Sequence, residues 1–157
     1  MKPSKGTKNR PLFRTLTVAN AAPVRSCGSC TACCTPYIVV EVHKPEGVTC
    51  QHLRSEGGCG IYETRPGPCR RFQCLWLKDL LPDPMRPDAV GYIVATNWVG
   101  GFLQVNEMVP GATERCPHFA AWRDELRLRD IELHIIPPIA PPVASGVSTE
   151  RDIPLPT

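Results

Sequence analysis

Eight of the nine cysteines in the chain lie between positions 27 and 74, the densest group of chemically active side chains in the sequence. Cys27, Cys30 and Cys33 follow one another at intervals of three, so one tight turn can direct three sulfurs towards a single centre. Thiolate is the soft ligand that zinc and iron–sulfur clusters prefer, and the same spacing begins the cluster-binding run of bacterial ferredoxins. The spacing therefore predicts metal ligation, with a fourth ligand supplied from elsewhere in the chain.

Cys34 does not easily join this first group, because the side chains of adjacent residues project in different directions. It either serves a second centre or is a reserve ligand, and the sequence leaves both possibilities open. Four further thiols follow within a short stretch, and they can complete one centre or build another. These four are Cys50, Cys59, Cys69 and Cys74.

Core filling and disulfide bonding account less well for the cysteines than metal ligation does. Free cysteine is often a small buried hydrophobic residue, but such regular spacing is not expected of core filling. A disulfide framework is disfavoured by the odd count of nine and by the expected cytoplasmic location, where thiols stay reduced. We expect that location because the basic residues 1–10 are not followed by the apolar segment of a signal peptide, and because no stretch has the length of a membrane span.

The charge of the chain gives no argument for nucleic-acid binding. The net charge of +3 counts the thiols as neutral, and eight thiolates holding two divalent cations would more than cancel it. The basic residues near the N-terminus indicate a flexible, solubilising arm over residues 1–26. We therefore expect a metal ion or cluster as the partner, and neither nucleic acid nor a membrane.

The remaining pattern predicts a small, loop-rich α+β domain over residues 27–136, stabilised by metal, with a Pro-rich tail over residues 137–157. Beside the cysteines, residues 37–42 are rich in β-formers and lie between two prolines. Pro68 suits the first turn of a helix, which we expect to end near Leu81.

The later part of the chain predicts a β-hairpin, a helix and a last strand, which would support the cysteine-rich part. Residues 91–99 and 102–108 flank Gly100 and Gly101, a pattern typical of a β-hairpin. A helix should follow Cys116 and Pro117, with Phe119, Trp122 and Leu126 on one face. A last strand is expected within residues 131–136.

Two separated blocks of the sequence resemble a known family. Cys27-Gly-Ser-Cys30-Thr-Ala-Cys33-Cys34, and then the segment from Cys59 to Cys74 with its Ile-Tyr-x-x-Arg-Pro-x-x-Cys-Arg pattern, resemble the CxxCxxCC family of zinc- or iron-chelating domains, also called YkgJ-like cysteine cluster proteins. The resemblance covers roughly a third of the chain and implies a metal-binding cysteine cluster, although it does not specify a reaction. It implies that the metal ligands are Cys27, Cys30, Cys33, Cys34, Cys50, Cys59, Cys69 and Cys74.

Three functions remain open at this stage. Zinc would be a structural ion in closed four-ligand sites, whereas an iron–sulfur cluster would suit electron transfer or redox sensing. An enzyme using such a centre is the third possibility, and the sequence does not decide it. His52 and Cys116 are possible additional ligands; the resemblance ends near residue 74 and does not extend to Cys116. No nucleophile elbow, phosphate loop or dinucleotide fingerprint is present in the sequence.

Overall fold

The computed structural model describes residues 25–97 and 99–139, so most of the expected arm and tail lies outside the described residues. The fold is α+β and small, as expected. Its helices are α1 (Gly67–Arg71), α2 (Pro87–Val90) and α3 (Pro117–Arg127), and its strands are β1 (Tyr92–Asn97), β2 (Phe102–Glu107) and β3 (Leu133–Ile136). Single 3-10 turns occur at Ala32–Cys34, Val40–Val42 and Asp83–Met85. None of the helices in this part of the chain has both the length and the apolar character needed to cross a membrane.

The three strands form one sheet with β2 in the centre. β1 and β2 make the expected antiparallel hairpin, whose outermost pair is Asn97 with Phe102. The turn is closed at Asn97, which accepts hydrogen bonds from the Gly100 and Gly101 amides at 2.9 Å each. Gly101 has a φ of 73°, a backbone conformation that glycine adopts without strain. β3 confirms the expected last strand and pairs parallel to β2 after the connection through α3.

Helix α3 covers one face of the sheet. Its buried residues are Phe119, Trp122 and Leu126, as the spacing predicts. The Phe119 ring packs edge-on against Tyr92 of β1, with ring centroids 5.1 Å apart. Burial of such large side chains is the main favourable term in a domain of this size, so this face carries the larger hydrophobic core.

Alternation along β1 divides the protein into two sides. Tyr92 and Val94 point into the core beneath α3, whereas Ile93 points to the opposite face and packs with a second cluster containing Cys74 and Leu77. Successive residues of a strand face opposite sides of a sheet, and here both sides are covered. The cysteine-bearing loops form the layer opposite α3.

The helix predicted from Pro68 to about Leu81 is wrong beyond its first turns. Helix α1 ends at Arg71, and Phe72 already has extended backbone angles. The chain then follows the outer edge of β1, where the Leu75 amide donates to the Val94 carbonyl at 2.8 Å. Pairing with the sheet edge buries Leu75 on one side and Leu77 on the other. This burial outweighs the helical tendency of the segment.

The β-rich run over residues 37–42 does not form a strand. It folds back on itself as a tight loop, closed by a bridge between Val39 and Lys44 and by a left-handed His43 with φ of 50°. Lys44 is buried, with only 4 % of its surface exposed. Its ammonium donates to three carbonyls, those of Thr35, Tyr37 and Pro45. These bonds hold the loop closed, which the residue preferences alone do not reveal.

Candidate metal centre

One cavity of about 160 Å³, on the face of the sheet opposite α3, collects all eight clustered cysteines. Its apolar wall includes Val39 and two residues of the second cluster, Leu77 and Ile93. The structure thus brings the whole predicted ligand set into one place. The cysteines that line the cavity are Cys27, Cys30, Cys33, Cys34, Cys50, Cys59, Cys69 and Cys74.

Four of these cysteines pack into the second hydrophobic cluster, and we call them the inner group: Cys27, Cys30, Cys33 and Cys74. A turn in which the Cys30 amide donates to the Cys27 carbonyl at 2.9 Å brings the first two close together. Cys33 follows in the 3-10 turn Ala32–Cys34. Cys74 comes from the segment along β1 and is itself buried, with 9 % of its surface exposed.

The other four form the outer group: Cys34, Cys50, Cys59 and Cys69. Main-chain contacts bring them together, since the Cys50 amide donates to the Cys34 carbonyl at 2.9 Å and Leu53 forms a β-bridge with Cys59. Cys69 lies in α1. In residues 25–97 and 99–139, no member of the outer group belongs to either hydrophobic cluster.

Electrostatic coupling connects thiols within each of the two groups. Burial raises the pKa of Cys74, and the Cys30 and Cys27 thiols raise it further. Burial likewise raises the pKa of Cys69, where the additional contributions come from the outer thiols of Cys34, Cys50 and Cys59. Like charges shift each other in this way only at short range. Each group is therefore a set of mutual neighbours.

The two groups meet at the peptide bond between Cys33 and Cys34. A hydrogen bond between their side chains raises the pKa of Cys33 and, with the nearby charge of Lys44, lowers the pKa of Cys34 to about 7. Cys34 is therefore ready to act as a thiolate near neutral pH, which is the form that binds metal. The two adjacent thiols are within hydrogen-bonding reach of each other, so Cys34 is a neighbour of the inner group as well as of the outer group.

Cations surround the outer group. Lys44 lies beside Cys50 and Cys34, whose charges oppose the lowering of its pKa by burial. Arg65 lies near Cys69 and stacks over the Tyr62 ring, with its guanidinium carbon 3.7 Å from the ring centre. Positive charge near thiolates stabilises the ionised sulfur. The arginines are evident in the sequence next to the cysteines, whereas the burial of Lys44 beside the thiols is evident only in the fold.

An open recess of about 420 Å³ adjoins the outer group, and we call it the glycine recess. Its wall includes Gly28, Gly57 and Gly58, the side chain of Arg54, and Cys59. Cys59 lines both this recess and the thiol cavity. It is therefore a point at which the outer group meets solvent.

His52 and Cys116, the two additional ligands considered from sequence, lie in different parts of the structure. His52 lines the thiol cavity. Cys116 is buried in the core beneath α3, where its sulfur accepts a hydrogen bond from the Tyr92 hydroxyl at 3.3 Å. The sheet lies between Cys116 and the eight clustered thiols, so Cys116 is not positioned as a ligand.

Within residues 25–97 and 99–139, no three His, Cys, Asp or Glu side chains meet closely enough to hold one metal ion as they stand. The thiols border a common space instead. The donor set nevertheless fits a thiophilic metal, because eight soft sulfurs and several cations face the same cavity.

Comparison with protein-family models, with curated proteins and with solved structures gives no match for this chain. The resemblance to the CxxCxxCC family therefore stays a prediction from the two sequence blocks.

Proposed function

We propose that this chain is a cytoplasmic metal-binding protein whose cysteine cluster coordinates zinc or an iron–sulfur cluster. The observation that carries the proposal is that one cavity collects eight of the nine cysteines. They come from segments as distant in sequence as Cys27 and Cys74. Packing of ordinary small hydrophobic residues gives no reason for such a concentration of thiols.

Metal binding would also stabilise the cysteine layer. This layer contains only short turns and the five-residue helix α1, apart from its contact with the sheet. Short turns and small apolar contacts hold these loops, and metal ligation commonly supplies folding free energy to a layer of this kind. The energy of ligation would thus be used to order the loops that carry the ligands.

An iron–sulfur protein that transfers electrons is the alternative, and the surroundings of the inner group favour considering it. The Tyr37, Phe72 and Trp76 side chains pack against the hydrophobic cluster that includes these thiols. An apolar shell of this kind controls the reduction potential of a cluster. In this case the bound group would supply the redox chemistry, while the chain would provide four thiolates and their aromatic neighbours.

One preparation can test metal binding and separate the two candidates. The protein is purified without oxygen, and iron, zinc and acid-labile sulfide are measured together with the visible spectrum. Iron with sulfide and a broad thiolate-to-iron absorption indicates a cluster, whereas zinc without colour or sulfide indicates structural zinc. A chain that contains neither metal, and takes up neither on reconstitution, contradicts the proposal.

Two matched variants test the ligand assignment. Cys30→Ser removes a thiol that lines the cavity, and we expect it to lower both the metal content and the thermal stability. Cys116→Ser removes the buried thiol on the other side of the sheet and should leave the metal content unchanged. Equal metal content in Cys30→Ser and the unmodified protein would contradict the assignment.

A further inference from the structure

We propose that Cys33 and Cys34 form a reversible disulfide bond with each other, by exchange with a small anionic disulfide such as glutathione disulfide. The inference needs only two neighbouring thiols and does not rest on the proposed metal-binding function. It assigns a redox reaction to two of the eight clustered cysteines, and it names the chemical class of the molecule that drives this reaction.

The side chains of Cys33 and Cys34 are neighbours in space as well as in sequence. Both border the thiol cavity, and their thiols share a hydrogen bond. Cys27 and Cys30 also lie at a tight turn, but the Cys27 thiol influences Cys30 through its charge. A disulfide needs two sulfurs that can meet without rearrangement of the backbone. We therefore assign the disulfide to Cys33 with Cys34.

The backbone holds this pair of cysteines in a fixed turn. The Cys34 amide donates to the Thr31 carbonyl at 2.8 Å, and the Cys34 carbonyl accepts a hydrogen bond from the Cys50 amide at 2.9 Å. The Cys33 side chain packs against the second hydrophobic cluster. Because the turn is already ordered, closing the disulfide costs little further conformational entropy.

The adjacency of the two cysteines also makes the bond easy to reduce. Adjacent Cα atoms are about 3.8 Å apart across a trans peptide, whereas disulfide-bonded Cα atoms usually lie about 4.4–6.8 Å apart. A disulfide outside this range is strained and is reduced more readily than an ordinary structural one. The pair should therefore follow the thiol–disulfide balance of its surroundings.

The charges around the cavity favour an anionic reaction partner. Among the described residues, the lining of the cavity includes Arg25, Lys44, Arg65 and Arg70 but no aspartate or glutamate. The thiols of the pair are only partly buried, so a small molecule that enters the cavity can reach them. Glutathione disulfide carries carboxylates and a net negative charge, which these cations attract.

The reaction proceeds in two exchange steps. The Cys34 thiol, which lies near Lys44, loses its proton and attacks one sulfur of glutathione disulfide. The S–S bond of glutathione disulfide breaks, and one glutathione leaves as a thiolate that takes up a proton. The Cys33 thiol then loses its proton, attacks the Cys34 sulfur and releases the second glutathione in the same way. The two protein thiols lose two electrons in total, and glutathione disulfide gains them.

The test uses the full-length chain, freed of metal with a chelator and kept without oxygen, in buffers with a rising ratio of glutathione disulfide to glutathione. Free thiols are then alkylated, and the linkage is located by peptide mapping with mass spectrometry. We expect the first two thiols lost from alkylation to be those of Cys33 and Cys34, and dithiothreitol should restore both. A first linkage between any other pair, or no loss of thiols, would overturn the proposal.

Two variants test the order of the steps. Cys33→Ser lacks the thiol that completes the bond, so a mixed disulfide between Cys34 and glutathione should accumulate. Cys116→Ser changes the buried thiol on the other side of the sheet and should form the bond between Cys33 and Cys34 like the unmodified chain. Absence of the mixed disulfide from Cys33→Ser would overturn the role of Cys34 as the attacking thiol.

The preference for an anionic partner has its own test. The cationic disulfide cystamine should react more slowly with the chain than glutathione disulfide does, once each rate is divided by the rate with the neutral thiol 2-mercaptoethanol. An equal or faster normalised rate for cystamine would overturn this preference. A chain that forms the disulfide but binds no metal would support this inference and contradict the proposed function.

Discussion

The Asn106 side-chain amide donates a hydrogen bond to the Tyr37 hydroxyl at 3.0 Å, joining the central strand to the cysteine layer across 69 positions of sequence. The Tyr37 ring also packs against Phe72, with ring centroids 4.7 Å apart. Tyr37 thus touches both the sheet and the loops that carry the thiols, and it ties the layer to the scaffold.

We expect Tyr37→Phe to lower the free energy of unfolding by about 1 kcal/mol, since it removes one hydrogen bond and leaves the Asn106 amide without this acceptor. Urea unfolding of the metal-loaded protein measures the change. Tyr62→Phe is the matched control, because Tyr62 is 40 % exposed and keeps its ring beneath Arg65. An equal effect of the two substitutions would argue against a special role of the Tyr37 contact.

Neighbouring positions of β1 should give different phenotypes. Ile93→Ala opens space beside the inner thiols, so we expect a loss of about 2–5 kcal/mol in stability together with faster release of any bound metal. Val94→Ala lies beneath α3 and should lower stability without changing metal release. Chelator kinetics and urea unfolding on both variants check this pair, and identical release rates would contradict the assignment of the two faces.

Arg25 holds the segment before the first cysteine against the loop over residues 76–83. Its guanidinium donates to the Trp76 and Leu81 carbonyls at 2.9 and 2.8 Å and pairs with Asp79 and Asp83. Arg25→Lys keeps the charge but cannot span these acceptors, and we expect a loss of about 1–3 kcal/mol. Arg127→Lys, at a side chain that is 68 % exposed, should change stability little. Thermal unfolding at low and high salt measures the stability of both variants. Equal losses in the two would contradict the role of the Arg25 guanidinium contacts.

Glu107 makes the stability of the fold depend on pH in the acidic range. Burial alone would raise the pKa of Glu107, but hydrogen bonds from the Thr113 hydroxyl and amide and from the Gly111 amide hold it below its ordinary value of 4.5. Because the folded-state pKa is lowered, the stabilisation is fully present above the unfolded-state pKa. It is lost as the pH falls through the folded-state pKa.

Glu107→Gln should therefore cost about 1–3 kcal/mol at pH 7, and the difference from the unmodified protein should shrink as the pH falls below the ordinary carboxyl range. Urea unfolding at several pH values measures this difference, and release of metal by acid affects both proteins alike. Glu114→Gln, at an exposed position, is the control. A difference that stays constant with pH would show that the carboxylate charge is not responsible.

The sequence predicts the scaffold well where the signal is local. The Gly100–Gly101 turn and the spacing of Phe119, Trp122 and Leu126 identify the hairpin and α3, because turn geometry and helical periodicity depend on nearby residues. The helix expected after Pro68 fails because Leu75 bonds to the edge of β1, a partner that lies far along the chain. Local propensity carries no information about such a partner.

The sequence predicts the residues of the candidate site, but not the contacts that they make with distant segments. Spacing identifies the eight cysteines that line the cavity, but which of them become neighbours depends on how distant segments, such as those of Cys69 and Cys74, approach the first cysteines. Residue type alone predicts an exposed ammonium at Lys44. Its burial beside the thiols depends on three carbonyls of its own loop, whose positions follow from the fold.

The sheet also separates a core without clustered thiols from the layer that we propose binds metal. In the part of the chain that the structure describes, the core beneath α3 contains none of the eight clustered thiols, so its packing does not depend on a bound ion. Under the proposed function, we expect loss of metal to disorder the cysteine loops while the core beneath α3 stays packed. A metal-depleted chain would then take up metal again without refolding completely.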